Sequence, residues 1–219
     1  MEEKRKFLHS LVFPTFFLVL IWMVKITEIS LETSYIEWGV YPLKLSGLKG
    51  IITAPLIHAD FKHLFDNSIT LYLLSVALFY FYRPVSYKVF LLIWLITGLT
   101  VWIFARSAYH IGASGLVYGL ASFLFFSGII RNNINLLAIS LLVVFMYGGL
   151  VWGVFPFDFK VSWESHLMGG VTGLVLSFFY RRYGPTPTSY EWPEEDDEDE
   201  DDGINRNIGI FDDTEYIGD

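Results

Sequence analysis

The chain has 219 residues, 53% of them hydrophobic and 18% aromatic, with a mean hydropathy of +0.46. So apolar a composition excludes an ordinary soluble domain of this length and directs the chain to a bilayer, and the absence of cysteine excludes thiol nucleophiles, thiolate metal sites and disulfide scaffolds. The net charge of -8 comes from an acidic stretch over 191–219, the remainder being mildly basic, and nothing in the pattern points to a nucleic-acid partner.

A hydrocarbon core about 30 Å thick is crossed by roughly 17 to 25 mostly apolar residues in a helix, and six segments of that kind are present. The first covers about 11–29. It follows Lys4, Arg5 and Lys6 as a signal peptide would, but it is long and no Ala-x-Ala-like cleavage site comes after it, so it reads as a retained anchor. Lys25, near its end, is expected to snorkel to the interface. Residues 30–60 make a loop too long for a turn, whose Trp38, Tyr41 and Pro42 suit an interfacial layer. The second helix covers 62–82 and is stopped by Arg83-Pro84. The third covers 87–105, the fourth 114–130, the fifth 134–154 and the sixth 163–180, closed by Arg181, Arg182, Gly184 and Pro185. Met146-Tyr147-Gly148-Gly149 in the fifth reads as a packing feature. Beyond Pro185, the acidic run 194–202 predicts a disordered, solvated tail. The expected organisation is an all-α polytopic membrane protein: a six-transmembrane-helix bundle over 1–183 with a long first outer loop, followed by an acidic cytoplasmic tail over 184–219.

Lys and Arg accumulate on the cytoplasmic side of a membrane protein. With the N-terminus inside, that side holds Lys4, Arg5, Lys6, Arg83, Lys88, Arg131, Arg181 and Arg182, against Arg106 and Lys160 in the short outer loops and Lys44 and Lys49 in the long one. Both termini are therefore expected in the cytoplasm, and the second, fourth and sixth helices begin at the outer surface. Ionisable residues within membrane segments are functional candidates by default. His63 and Asn67, spaced i, i+4 and so on one face, lie near the outer end of the second helix. Ser114 opens the fourth helix, and His166 lies in the first turn of the sixth. Three helices distant in sequence deliver polar residues to one depth.

The chemistry that fits is a serine nucleophile with a histidine base, because a hydroxyl needs an adjacent proton acceptor as it attacks a carbonyl and an imidazole titrates near neutrality. No carboxylate is expected beside His166, Glu164 facing elsewhere, so the pattern is a dyad. His63, the Asn67 amide and the Ser114 backbone N–H form the natural oxyanion set, aided by the helix start at Ser114. Gly115 and Gly119 on the fourth helix, and Gly169 and Gly173 on the sixth, are each four apart, two small-residue faces that let backbones approach. Tyr118, one turn after Ser114, is placed to pack against the imidazole. The segment 106–112 lacks helical periodicity and is expected to drop into the outer leaflet as the floor of a water-filled cavity.

These residues resemble the rhomboid family of intramembrane serine proteases. The likeness rests on Gly112-Ala113-Ser114-Gly115, on Ser165-His166-Leu167-Met168-Gly169 with Gly173, and on His63-Leu64-Phe65-Asp66-Asn67, in the family's order on its fourth, sixth and second helices. It implies Ser114 as nucleophile, His166 as general base, His63 and Asn67 as oxyanion stabilisers, Tyr118 stacked on the base, and His58 as the histidine often found just before the second helix. It further implies membrane-anchored protein substrates that enter between the second and fifth helices, with no metal or cofactor. Three departures stand out. The family's Trp-Arg pair in the first loop is replaced by Leu48-Lys49-Gly50, Ser165 stands where alanine is commoner, and Asp66 before Asn67 is unusual and placed to perturb His63.

Other classes fit less well. His58, His63, His110 and His166 all lie toward the outer face, but no His-Glu-x-x-His spacing of a metalloprotease occurs, and no paired intrahelical aspartates suggest an aspartyl protease. A transporter or scaffold would use such residues for packing singly, not jointly at one depth with matched glycines. The remaining alternative is a catalytically inactive rhomboid-like protein that binds membrane-protein clients; such relatives lose the serine or the histidine, and this chain keeps both. Nothing in the sequence fixes an oligomeric state.

Overall fold

A computed structural model describes residues 2–146, 152–156 and 162–186. Its helices are α1 (Glu2–Ser30), α2 (Gly50–Thr53), α3 (Phe61–Phe81), α4 (Ser86–Phe104), α5 (Ser114–Ile130), α6 (Ile134–Met146) and α7 (Trp163–Phe179). Among the described residues there is no β-strand, only an isolated antiparallel bridge between Val40 and His110. By length and composition α1, α3 and α4 are able to cross a membrane.

The helix boundaries are set by local chemistry. Asp60, in extended conformation, caps α3 by accepting from the His63 N–H at 2.7 Å, which satisfies one of the orphan donors of a helix start. Tyr82 and Arg83-Pro84 end α3 where the proline was expected to. The first helix starts at Glu2 rather than near residue 11, because no breaker separates the charged stretch from the apolar one. Tyr80 donates to Glu3 at 2.7 Å and lies 4.5 Å beneath the Lys6 ammonium, which ties that added length to the end of α3. The fifth predicted helix, to residue 154, is described only as far as Met146; Trp152–Val154 forms a 3-10 turn. Residues 147–151, which include Tyr147-Gly148-Gly149, and the acidic tail beyond Thr186 lie outside the described residues.

The long first loop is not irregular. It holds α2 and three 3-10 turns, Ile36–Trp38, Leu45–Gly47 and Ala54–Leu56. Trp94 and Trp102 of α4 donate to the Ile51 and Lys44 carbonyls at 3.0 and 2.9 Å. Where the family's Trp-Arg pair is missing, Gly50 packs directly on the Gly39–Val40 backbone and Lys49 lies 4.5 Å over the Trp38 ring. The loop also holds the segment before α5, since Val40 and His110 exchange backbone hydrogen bonds of 2.9 and 2.8 Å and Gly112 donates to Ala54 at 2.9 Å.

The core is centred on α5. Leu116, Val117, Leu120, Phe123 and Leu124 are buried, and the helix packs against α3, α4, α6 and above all α7. Large apolar side chains on the outer faces of α1 and α4, including Phe16, Met23, Leu91, Leu95 and Leu99, are exposed, as suits helices whose solvent is lipid. Between α5 and α7 the backbones touch. A Cβ on Gly169 would overlap the Gly115 carbonyl oxygen, and one on Gly173 that of Gly119, so the paired glycines set the interhelical distance.

Gly169→Ala is therefore expected to destabilise the protein by at least about 1–3 kcal/mol through overpacking, read as a lower thermal unfolding midpoint in detergent. Gly170→Ala, where a Cβ would meet nothing within 4 Å, should leave the midpoint unchanged or raise it, since alanine is the better helix former.

Candidate active site

Ser114 is the first residue of α5, following Ala113 as its cap. The chain reaches it through Gly112, at φ +102°, a left-handed conformation natural to glycine. The space that a side chain at Gly112 would need is occupied. A Cβ there would stand 2.8 Å from Cε1 and 3.0 Å from Nε2 of His63, and 3.8 Å from the Asn67 amide nitrogen. The α3 pair and the segment leading into Ser114 are thus in direct apposition. Asn67 is buried, and its Nδ2 has no hydrogen-bond partner, which leaves a desolvated donor beside the start of α5, an arrangement that costs stability unless a ligand uses it.

His166 is buried in the first turn of α7. Its Nδ1 lies 2.8 Å from the Gly153 carbonyl oxygen. A carbonyl only accepts, so Nδ1 carries the proton and Nε2 presents a lone pair. The ring stacks on Tyr118, with centroids 4.1 Å apart and planes 10° from parallel, and the stack closes against Gly153, where a Cβ would overlap the Tyr118 hydroxyl. Ser114 and His166 do not hydrogen-bond to each other. They are brought close by neighbours, since the Cβ position of Gly115 lies 3.1 Å from the Ser165 carbonyl oxygen.

His58 is buried against the other side of the segment leading into Ser114. Its Nε2 accepts from the Ala113 N–H at 3.4 Å, and its ring meets that of His63 edge-on at 5.1 Å. Burial, with the neighbouring His63 second, pushes its imidazole down to about 3, so it is neutral at physiological pH and able to accept.

Several polar groups around the site were not legible in the sequence. Lys25 does not snorkel: it is 7% exposed and paired at 2.8 Å with Glu28, itself 8% exposed, because three acceptors inside the protein replace water. Arg106 donates to both Glu164 oxygens at 3.1 and 3.2 Å, which turns that carboxylate to the segment before α5. His110 contacts the Arg106 carbonyl through Nε2 at 3.0 Å and the Ser162 hydroxyl through Nδ1 at 2.6 Å, and Ser162 in turn meets Ser165 at 2.6 Å. Burial holds His110 below the usual imidazole range, so it is neutral and the chain runs from Ser165 to Ser162 to His110 to the Arg106 carbonyl. Ser165, in place of the commoner alanine, thereby joins a chain of contacts from the start of α7 to the segment before α5. Asp66 forms an exposed pair with Lys62 at 2.6 Å. The only sequence signal for Lys25 and Glu28 was two ionisable groups within one apolar segment; the Arg106–Glu164 and His110–Ser162 pairings carried none, because their members lie 58 and 52 positions apart. A cavity of about 30 Å³, lined by Thr97, Gly98, His110, Gly112, Gly115 and Ser165, lies behind this segment, and the buried Thr97 hydroxyl has no hydrogen-bond partner.

Residues 46–183 match the family model of the Rhomboid domain. Uncharacterized proteins of Mycobacterium bovis and Mycobacterium tuberculosis are 34% identical over 172 residues, covering 74% of this chain and 71% of theirs. A Bacillus subtilis protein provisionally named rhomboid protease YdcA is 27% identical over 175 residues, covering 73% of this chain and 76% of its own. On the extent of these matches, the chain belongs to the rhomboid family, an integral-membrane family that includes intramembrane serine proteases.

Proposed function

We propose that the chain is an intramembrane serine endopeptidase that cleaves membrane-anchored proteins in or near a transmembrane segment. The observation that carries this reading is the setting of His166, whose Nδ1 is committed to the Gly153 carbonyl and whose ring is held flat against Tyr118. That setting keeps Nε2 as the basic nitrogen without a carboxylate, which suits a dyad. In this reading Ser114 Oγ attacks the scissile carbonyl as its proton passes to His166 Nε2. The oxyanion is met by Asn67 Nδ2, the His63 ring and the Ser114 backbone N–H, and the imidazolium then protonates the leaving amine. Water hydrolyses the acyl-enzyme by the reverse route. The Ser114–His166 bond has to form with substrate in place, as catalytic hydrogen bonds often tighten only in the productive complex. The unpartnered Asn67 amide beside Gly112 supports the oxyanion assignment.

The same reading makes α5, α6 and α7 membrane spans alongside α1, α3 and α4, with 1–183 as the membrane domain and 184–219 as a tail. Both termini are cytoplasmic, and the site is recessed toward the outer surface. Substrate arrives from the lipid between α3 and α6, and no metal or cofactor takes part.

Ser114→Ala and His166→Ala are each expected to abolish cleavage of a single-span model substrate while the unfolding midpoint is kept, and Ser114→Ala to abolish labelling by a fluorophosphonate probe. Undiminished cleavage by either variant overturns the dyad, and wild-type protein that neither cleaves nor labels but retains a bound transmembrane client supports the inactive alternative. Asn67→Ala is expected to lower kcat by about 10²–10³, the usual effect of losing one oxyanion donor, as measured in steady-state assays.

A further inference from the structure

Lys25 sits in the penultimate turn of α1, buried, and all three of its ammonium donors are used. They go to Glu28 Oε2 at 2.8 Å, to the His58 carbonyl at 3.0 Å and to the Ala59 carbonyl at 3.0 Å. Glu28 uses its other oxygen to accept from the Tyr35 N–H at 3.0 Å. The pair therefore joins three stretches of chain: the end of α1, the beginning of the first loop, and the short link between the Ala54–Leu56 turn and α3.

A buried ion pair is weak evidence of a gain in stability, since an apolar pair of the same volume often does as well. Two methylene-lined side chains could not, however, supply donors to the carbonyls of residues 58 and 59, which have no backbone N–H partner among the described residues. Those carbonyls lead directly into the oxyanion side of the site. The His58 ring accepts from the Ala113 N–H, one residue before Ser114, and Asp60 caps α3 at the His63 N–H. His63 then lies against Gly112. Within three residues, the backbone that Lys25 holds fixes one imidazole to the nucleophile segment and sets the first turn of the helix carrying His63 and Asn67.

We propose that Lys25, neutralised by Glu28, is a positioning residue that holds the 58–59 backbone so that the α3 donors stay in register with Ser114. Its kinetic consequence rests on the protease reading; its structural consequence does not.

The test uses the full chain in detergent and the double variant Lys25→Met/Glu28→Gln, which leaves no unpaired buried charge and so avoids the penalty that unfolds single-charge deletions. Hydrogen exchange over 58–64 and at Ala113 is expected to accelerate by at least about tenfold as local opening becomes easier. With a model transmembrane substrate, kcat should fall by at least about tenfold with KM within about twofold, the signature of a lost transition-state interaction. Lys25→Arg, which restores donors to both carbonyls, should recover most of kcat. Unchanged exchange in the double variant overturns the proposal whether or not the wild type turns over. So does a fall in kcat that merely tracks a lower unfolding midpoint and is not recovered by Lys25→Arg. Wild-type protein that fails to cleave or label, with exchange still accelerated in the double variant, overturns the protease reading and leaves the positioning role standing.

Discussion

The contact of the α5 and α7 backbones, carbonyl against glycine Cα at Gly115–Gly169 and Gly119–Gly173, is the constraint on which the rest depends. No side chain separates the two helices along this seam, so the residues at their starts are held at a fixed, short separation. Tyr118 can then lie flat on His166, and Ser162 at the start of α7 can reach His110. A wider seam would carry Ser114 and His166 further apart.

The buried polar groups divide into two sets. Most are paired inside the protein: Lys25 with Glu28, Arg106 with Glu164, His110 with Ser162 and the Arg106 carbonyl. In a low-dielectric setting an unpaired buried group is costly, so this pairing is what allows charge and hydroxyl to sit at such depth. Among the described residues, six buried side-chain atoms have no hydrogen-bond partner, on His58, Asn67, Ser75, Tyr82, Thr97 and Trp163; of these, the Asn67 amide lies beside Gly112 and the Thr97 hydroxyl on the cavity behind it.

The first loop serves the same end by a different route. Its turns are fastened to α4 by two tryptophan N–H donors and to the segment 106–112 by the Val40–His110 bridge and the Gly112–Ala54 bond. Non-helical backbone within a membrane protein is tolerated where protein satisfies it, and here each irregular stretch satisfies the other.

The sequence by itself determined the membrane class and the approximate place of most helices, and it singled out the four residues proposed as dyad and oxyanion set, because apolar run length, proline and glycine punctuation and i, i+4 spacing are local properties. It could not reveal that Lys25 turns inward, since a lysine near a helix end looks the same whether its acceptors are water or the carbonyls of residues more than 30 positions away. Nor could it reveal that Glu164 faces Arg106, or that His110, Ser162 and Ser165 form one chain. The starting point of α1 was misjudged because hydropathy sees the apolar core of a helix and not its charged extension. Only the tertiary structure decided which polar groups are paired and which are left open, because pairing is set by distances between segments far apart in sequence, which no local pattern encodes.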